Sequence, residues 1–179
     1  MIPDYLTLFY RRGDKPFRSI CDLEEAVAAE ILRHDILWRG DGTYLTHRKR
    51  HEQYIREQFI GRGGRPTRKF PIYMILGDSP EGPHSLDREY EQSLKLPLKF
   101  FHWTSVTFTY PDSLYIVPLD DLGRIHLDRN DKPRVLLMKE LEQVIQTYRV
   151  YEYNNHYIEA QVWDDEPVRR YCSETGLVF

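Results

Sequence analysis

The chain has little sulfur and no long apolar run, and each scarcity excludes something. Of its 179 residues only two are cysteines, Cys21 and Cys172, far apart and without metal-ligand or disulfide spacing. A disulfide scaffold is excluded, and reduced thiols are expected. The longest stretch without a charge covers residues 100–111 and is interrupted by His, Thr and Ser. It is too short to cross a bilayer. Met1-Ile2-Pro3-Asp4 does not start a basic-then-apolar leader, so a cytoplasmic protein is expected. No solenoid-period repeat and no low-complexity tract breaks the chain. What is present is 41% hydrophobic and 30% charged, a balance that packs into a core rather than staying disordered. Residues 1–179 read as a single globular domain.

Charge is unevenly placed. Residues 45–70 carry eight basic side chains against two acidic ones, a net +6, and the rest of the chain carries 17 against 26, a net −9. The basic set is Arg48, Lys49, Arg50, Arg56, Arg62, Arg65, Arg68 and Lys69. Such polarity can draw an anionic partner such as nucleic acid to one patch, although charge runs more often only solvate a helix face.

Periodicity predicts the elements. Residues 5–10 read as a short strand ended by Gly13 and Pro16. Asp22 followed by Glu25 forms a capping box for an amphipathic helix over 22–34, with Leu23, Val27 and Ile31 inward. A second helix is predicted over 44–60, stopped by Gly61 and the Gly63-Gly64 pair. Arg48, Lys49, Glu52 and Arg56 fall on its polar face, and Tyr44, His47, His51, Ile55 and Phe59 on the other. Residues 70–76 (FPIYMIL) are a strand buried on both faces. A short helix is expected from Ser85 to about 94, strands over 98–110 and 114–119, and a hairpin of 124–127 with 134–137. A helix over 138–148 and a half-buried strand over 156–163, closed by a turn at Glu166-Pro167, complete the list. The mixture lacks a βαβ rhythm, so the expected fold is α+β: a mixed, mostly antiparallel sheet flanked by about four helices.

Few residue groupings announce chemistry. His47 and His51 share a helix face at i, i+4, a metal-ligating geometry. The Arg-Lys-Arg between them opposes a dication, no third ligand stands out, and no metal site is expected. Gly61-Arg62-Gly63-Gly64-Arg65 follows a helix instead of opening one, which rules out a nucleotide P-loop. Its arginines could still meet phosphate by charge. Cys21 precedes the first helix, where the helix dipole would lower its pKa. Glu159 sits in the middle of a predicted strand, where Glu is disfavoured: it either faces solvent beside Gln161 or is held there for a reason.

PFRSI (16–20), RKRHEQYIREQF with GGRP, FPIYMILG, TFTYPDS (107–113) and YIEAQVWDDEPV (157–168) together resemble a bacterial family of no assigned role. The order LFYRR and RSI, then HWTSVTF, then YIEAQVW is also similar to the ADP-ribosyltransferases. These place an Arg or His on an early strand, a Ser or Thr on a middle strand and a Glu on a late strand. The basic helix and FPIYMILG sit where the DNA-modifying branch has an arginine-bearing helix and a strand. Tyr157 stands where arginine-modifying members have the first Glu or Gln of their motif, a departure from that branch. The resemblance implies that Arg11 or Arg18 grips the pyrophosphate of NAD, that Thr104 helps hold the cofactor and Ser105 supports the catalytic strand, and that Glu159 stabilises oxocarbenium-like charge as nicotinamide leaves. Two other classes remain open: a non-catalytic module that binds nucleic acid or an acidic protein through Arg48, Lys49, Arg50, Arg56, Arg62, Arg65 and Arg68, and a small interaction protein with no ligand.

Overall fold

A computed structural model of the chain describes residues 2–11, 13–33, 43–78, 91–110, 113, 135–152 and 157–179, with backbone alone at positions 11 and 91. Five strands, β1 (Tyr5–Arg11), β2 (Ile72–Leu76), β3 (Glu91–Pro97), β4 (Val106–Thr109) and β5 (Glu159–Val162), form one sheet in the order β3-β1-β2-β5-β4. Every strand pairing among the described residues is antiparallel. Among the described residues four α-helices accompany it: α1 (Glu25–Arg33), α2 (Tyr44–Gly61), α3 (Leu141–Tyr148) and α4 (Glu166–Thr175). The expected α+β class and helix number are those observed.

Alternation along the strands gives the sheet two unlike faces. Leu6, Leu8, Ile72, Met74, Leu76, Val106, Phe108, Ala160 and Val162 point to one side, into the main core with Leu141 and Val144 of α3 and Val168 and Cys172 of α4. The other side is polar. The register lines up Thr7, Ile75, Glu159 and Thr109 in one row and Tyr73, Gln161 and Thr107 in the next. Helix α2 covers this side, with Ile55 and Phe59 packed on Trp163. Ala28 and Leu32 of α1 join Cys21, Leu45 and Phe70 beside it. The strand predicted over 70–76 is buried on both sides, with Ile72 and Met74 in the main core and Ile75 on the polar face.

Several local expectations are revised. Asp22 does not open the first helix: it ends a 3-10 turn over Ile20–Asp22 capped by Ser19, whose Oγ accepts from the Cys21 N–H, and α1 begins only at Glu25. That turn rotates the buried stripe, so Ala28 and Leu32 are buried while Val27 is 43% exposed. Residues 91–94, read as the end of a helix, are the start of β3. The strand over 98–110 shrinks to β4, because Leu98–Phe100 close into a 3-10 turn after Pro97. The predicted strand over 114–119 lies outside the described residues, as does the hairpin apart from 135–137, where Leu136 bridges to Phe108. Glu166-Pro167 does not end the chain's regular structure. Pro167 sits in the first turn of α4, where its missing N–H is no loss.

After α2, the N–H of Gly64 returns to the Phe59 carbonyl, and a Cβ built on Gly64 would lie 2.3 Å from the fully buried Phe59 ring. Phe59 is walled in by Trp163 and Ile55 and has no room to yield. Gly64→Ala should therefore destabilise the protein by about 1–3 kcal/mol or more, as overpacking does, read as a lower urea midpoint. An unchanged midpoint would show that the loop can move away from Phe59.

Candidate active site beneath helix α2

The inward stripe of α2 runs Leu45, Arg48, Glu52, Ile55, Phe59, at helical spacing. Its ends are apolar and its middle is an ion pair. Arg48 and Glu52 were expected on the solvent face, but Glu52 is 1% exposed and the Arg48 side chain 12%. The polar face of the sheet explains this, since an apolar stripe would leave Tyr73, Gln161 and Glu159 facing hydrocarbon.

Arg48 is the hub. Its Nε donates to Glu52 Oε1 at 2.8 Å, and its guanidinium lies over the Tyr73 ring, 3.9 Å from the centroid, a cation–π geometry. Burial alone would disfavour the cation, but the fields of Tyr73, Tyr44, Glu52 and Glu159 more than offset it and hold the Arg48 pKa well above its usual value. Burial pushes the Glu52 carboxyl up, against the opposing pull of Arg48. His51 is buried one position along, and its Nε2 is hydrogen-bonded to the Ser113 carbonyl, the ring donating. Desolvation and the Arg48 charge lower its pKa to about 4. Cys21 does not become the activated thiol expected of a helix N-terminus. Burial and the neighbouring Glu52 charge push it up.

Among the described residues, Glu52 Oε2, the Tyr73 hydroxyl and Ser113 Oγ of this cluster are buried without a hydrogen bond of normal geometry. These groups still act on one another, since Tyr73 and Cys21 favour the charged form of Glu52 and Ser113 that of Tyr73.

Glu159 stands at the rim, half-buried. Its Oε1 accepts from the Ser113 N–H at 3.3 Å and from Gln161 Nε2 at 2.9 Å. Behind it the bonds form a directed chain: Trp163 Nε1 donates to Thr107 Oγ1, Thr107 Oγ1 to Gln161 Oε1, and Gln161 Nε2 to both Thr109 Oγ1 and Glu159. Such chains polarise one another in a low-dielectric setting. Here they deliver donors to one carboxylate.

The other residues singled out from sequence are scattered. Thr104 and Ser105 lie beyond the far end of β4 from Thr109, the residue opposite Glu159. Ser105 is thus about 13 Å along the strand from Glu159 at roughly 3.3 Å per residue. Its Oγ donates to the His102 carbonyl. Arg11 pairs with Glu91 at the end of the β1–β3 ladder. Arg18 is exposed and lines an open groove of about 560 Å³ together with Lys15, Phe17, Asp22, Arg68 and Asp165, whose walls do not include Glu159. The cation brought towards Glu159 is Arg48.

Much of the basic segment is used internally. Arg56 donates to the Arg68 and Pro66 carbonyls, Arg62 to the Val135 carbonyl and Glu140, and Arg68 joins Asp22, Asp165 and the Phe70 carbonyl. Arg50 and Arg65 are exposed and Lys49 is half-buried. Sequence reasoning missed Arg48 and Glu52 as a buried pair, although their spacing from Leu45, Ile55 and Phe59 was visible. The chain matches no known family model, and comparisons with the curated proteins and the solved structures yield no match either.

Two consequences can be measured. Arg48→Met leaves Glu52 buried and uncompensated, which should cost about 3–5 kcal/mol. The double change Arg48→Met with Glu52→Met should recover most of that loss, and additive losses in urea titrations would contradict the pairing. His51 stays neutral in the fold down to about pH 4, whereas the unfolded chain protonates it near 6.5. The unfolded state binds more protons in that window, so stability should fall with decreasing pH by up to about 1.4 kcal/mol per unit. His51→Gln should flatten this contribution in urea midpoints taken at pH 7, 6 and 5.

Proposed function

We propose that the protein transfers ADP-ribose from NAD to an acceptor, with Glu159 as the catalytic carboxylate. The observation that carries this reading is the directed chain Trp163–Thr107–Gln161–Glu159, which ends on a carboxylate at the rim of a buried charged cluster. A mid-strand Glu on a wet face would need no such support. In the reaction the bond between the nicotinamide nitrogen and ribose C1′ breaks, the electron pair leaves with nicotinamide, and positive charge grows on the ribose. A preorganised carboxylate lowers the energy of that charge, and Glu159 then takes the proton of the acceptor group as it bonds to C1′. Gln161 and the Ser113 N–H keep the carboxylate oriented without neutralising it. Arg18, in its separate groove, lends this reading no support, and Arg48 is taken up by Glu52 and the Tyr73 ring.

A non-catalytic polyanion module is the second reading. It keeps the exposed Arg65 and Lys69, with Lys49 beside them, but loses Arg48, Arg56, Arg62 and Arg68 to internal partners.

Incubation with NAD, followed by chromatography of released nicotinamide, tests the first reading. Glu159→Gln keeps shape and removes charge, so turnover should drop on the order of a hundredfold while NAD still raises the melting temperature. Undiminished nicotinamide release from a folded Glu159→Gln protein, or none from the parent under any acceptor condition, would end the enzyme reading.

A further inference from the structure

The basic loop after α2 has an aromatic companion that its own sequence does not reveal. Trp103 is 45% exposed, while Trp163 is fully buried. The benzo edge of the Trp103 indole rests on the loop, with its Cζ3 and Cη2 atoms 3.6–3.7 Å from where a Gly63 Cβ would lie. Gly63 holds φ +92°, a conformation that costs a side-chain-bearing residue strain. The Arg65 N–H donates to the Thr104 carbonyl at 2.8 Å, so the exposed Arg65 is fixed beside the Trp103 turn. The exposed His102 ring stacks obliquely on Trp103 at 5.7 Å. Its Nδ1 receives the Thr104 hydroxyl at 2.7 Å and lies 3.4 Å from the Thr104 N–H, so Nδ1 accepts and Nε2 carries the outward proton. Ile60, 46% exposed at the end of α2, adds apolar surface to the same region of the chain.

A wet tryptophan backed by glycine, braced by histidine and flanked by an exposed arginine is an arrangement suited to stacking a planar ring next to a negative charge. We propose that Trp103, His102 and Arg65 form a docking platform for single-stranded nucleic acid, one base stacked on the indole and the adjoining phosphate on Arg65. Every base has a π-face, so such stacking is sequence-tolerant, and the cation supplies the salt-dependent part of the affinity. A duplex keeps its bases stacked on one another and cannot offer one to the indole. An acidic peptide has charge but no base. The platform deepens the transferase reading by naming single-stranded nucleic acid as the acceptor class. It stands on different residues from Glu159, so the two can fail separately.

Fluorescence anisotropy with a labelled single-stranded oligonucleotide, an identical duplex and a polyglutamate peptide tests it on the full chain. The single strand should bind at least tenfold more tightly than the duplex or the peptide, and the affinity should fall linearly in log–log with salt. Trp103→Ala should weaken single-strand binding by about tenfold, within the range expected for one lost stacking contact, Trp103→Phe should restore part of it, and Arg65→Glu should weaken it and flatten the salt dependence. Glu159→Gln should bind as the parent does, so loss of nicotinamide release with retained oligonucleotide binding separates the site from the platform. Equal affinity of Trp103→Ala for the single strand, or a parent that prefers duplex or polyglutamate, would overturn the proposal whatever the fate of the transferase reading.

Discussion

A cation in the middle of a helix–sheet interface sets the terms for the rest of this structure. Arg48 lies where a core leucine would ordinarily lie, between Glu52 on its own helix and the Tyr73 ring on β2. A buried ion pair is weak evidence for stability, because desolvation consumes much of the Coulombic gain. It does dictate what surrounds it. The sheet face beneath α2 must be polar, and Thr107, Thr109, Gln161 and Glu159 make it so, while Ile55, Phe59 and Trp163 seal one end with hydrocarbon. Hydrophobic adhesion is supplied instead from the opposite face of the sheet, where α3 and α4 cover an unbroken apolar layer.

That division of labour explains which parts of the architecture could be read from the chain. FPIYMIL is apolar but for the Tyr73 hydroxyl because β2 lies between β1 and β5 with helices on both sides, and its burial follows from composition alone. The length of α2 follows from the glycines that end it. The buried face of α2 does not follow, because periodicity arguments sort residues by polarity and here polar residues are inside. Glu159 was visible as an oddity, a mid-strand acid. Its supports were not, because Thr107, Thr109 and Ser113 are ordinary residues whose meaning lies in the pairing of β4 with β5, about fifty residues apart in sequence. α4 is hidden for a different reason: Glu166-Pro167 reads as a turn, although Pro in a first helical turn is a start signal, with Val168, Tyr171 and Cys172 following at helical spacing.

The basic segment shows how composition can mislead in the other direction. A net +6 over a short stretch suggests a patch, but guanidinium groups are versatile internal fasteners, with planar donors that reach carbonyls and carboxylates at once. Arg56 secures the loop that Arg68 then ties to the start of α4 and to the turn before α1. Much of the positive charge therefore serves as scaffold, holding the chain segments that frame the polar face.

The place of β5 in the sheet has a consequence for how the molecule is made. β5 is the last strand in the sequence, yet it lies between β2 and β4 and supplies hydrogen bonds to both. Until residues 159–162 have been synthesised, β2 has only β1 beside it among the described residues, and β4 has only its bridge to Leu136. An emerging chain must therefore carry a hydrophobic, unpaired strand edge through most of its translation, the kind of surface on which nascent proteins aggregate or attract chaperones. Closure depends on contacts remote in sequence, which favours slow assembly. The polar cluster cannot exist before that closure, because Glu159 and Gln161 arrive with β5 itself.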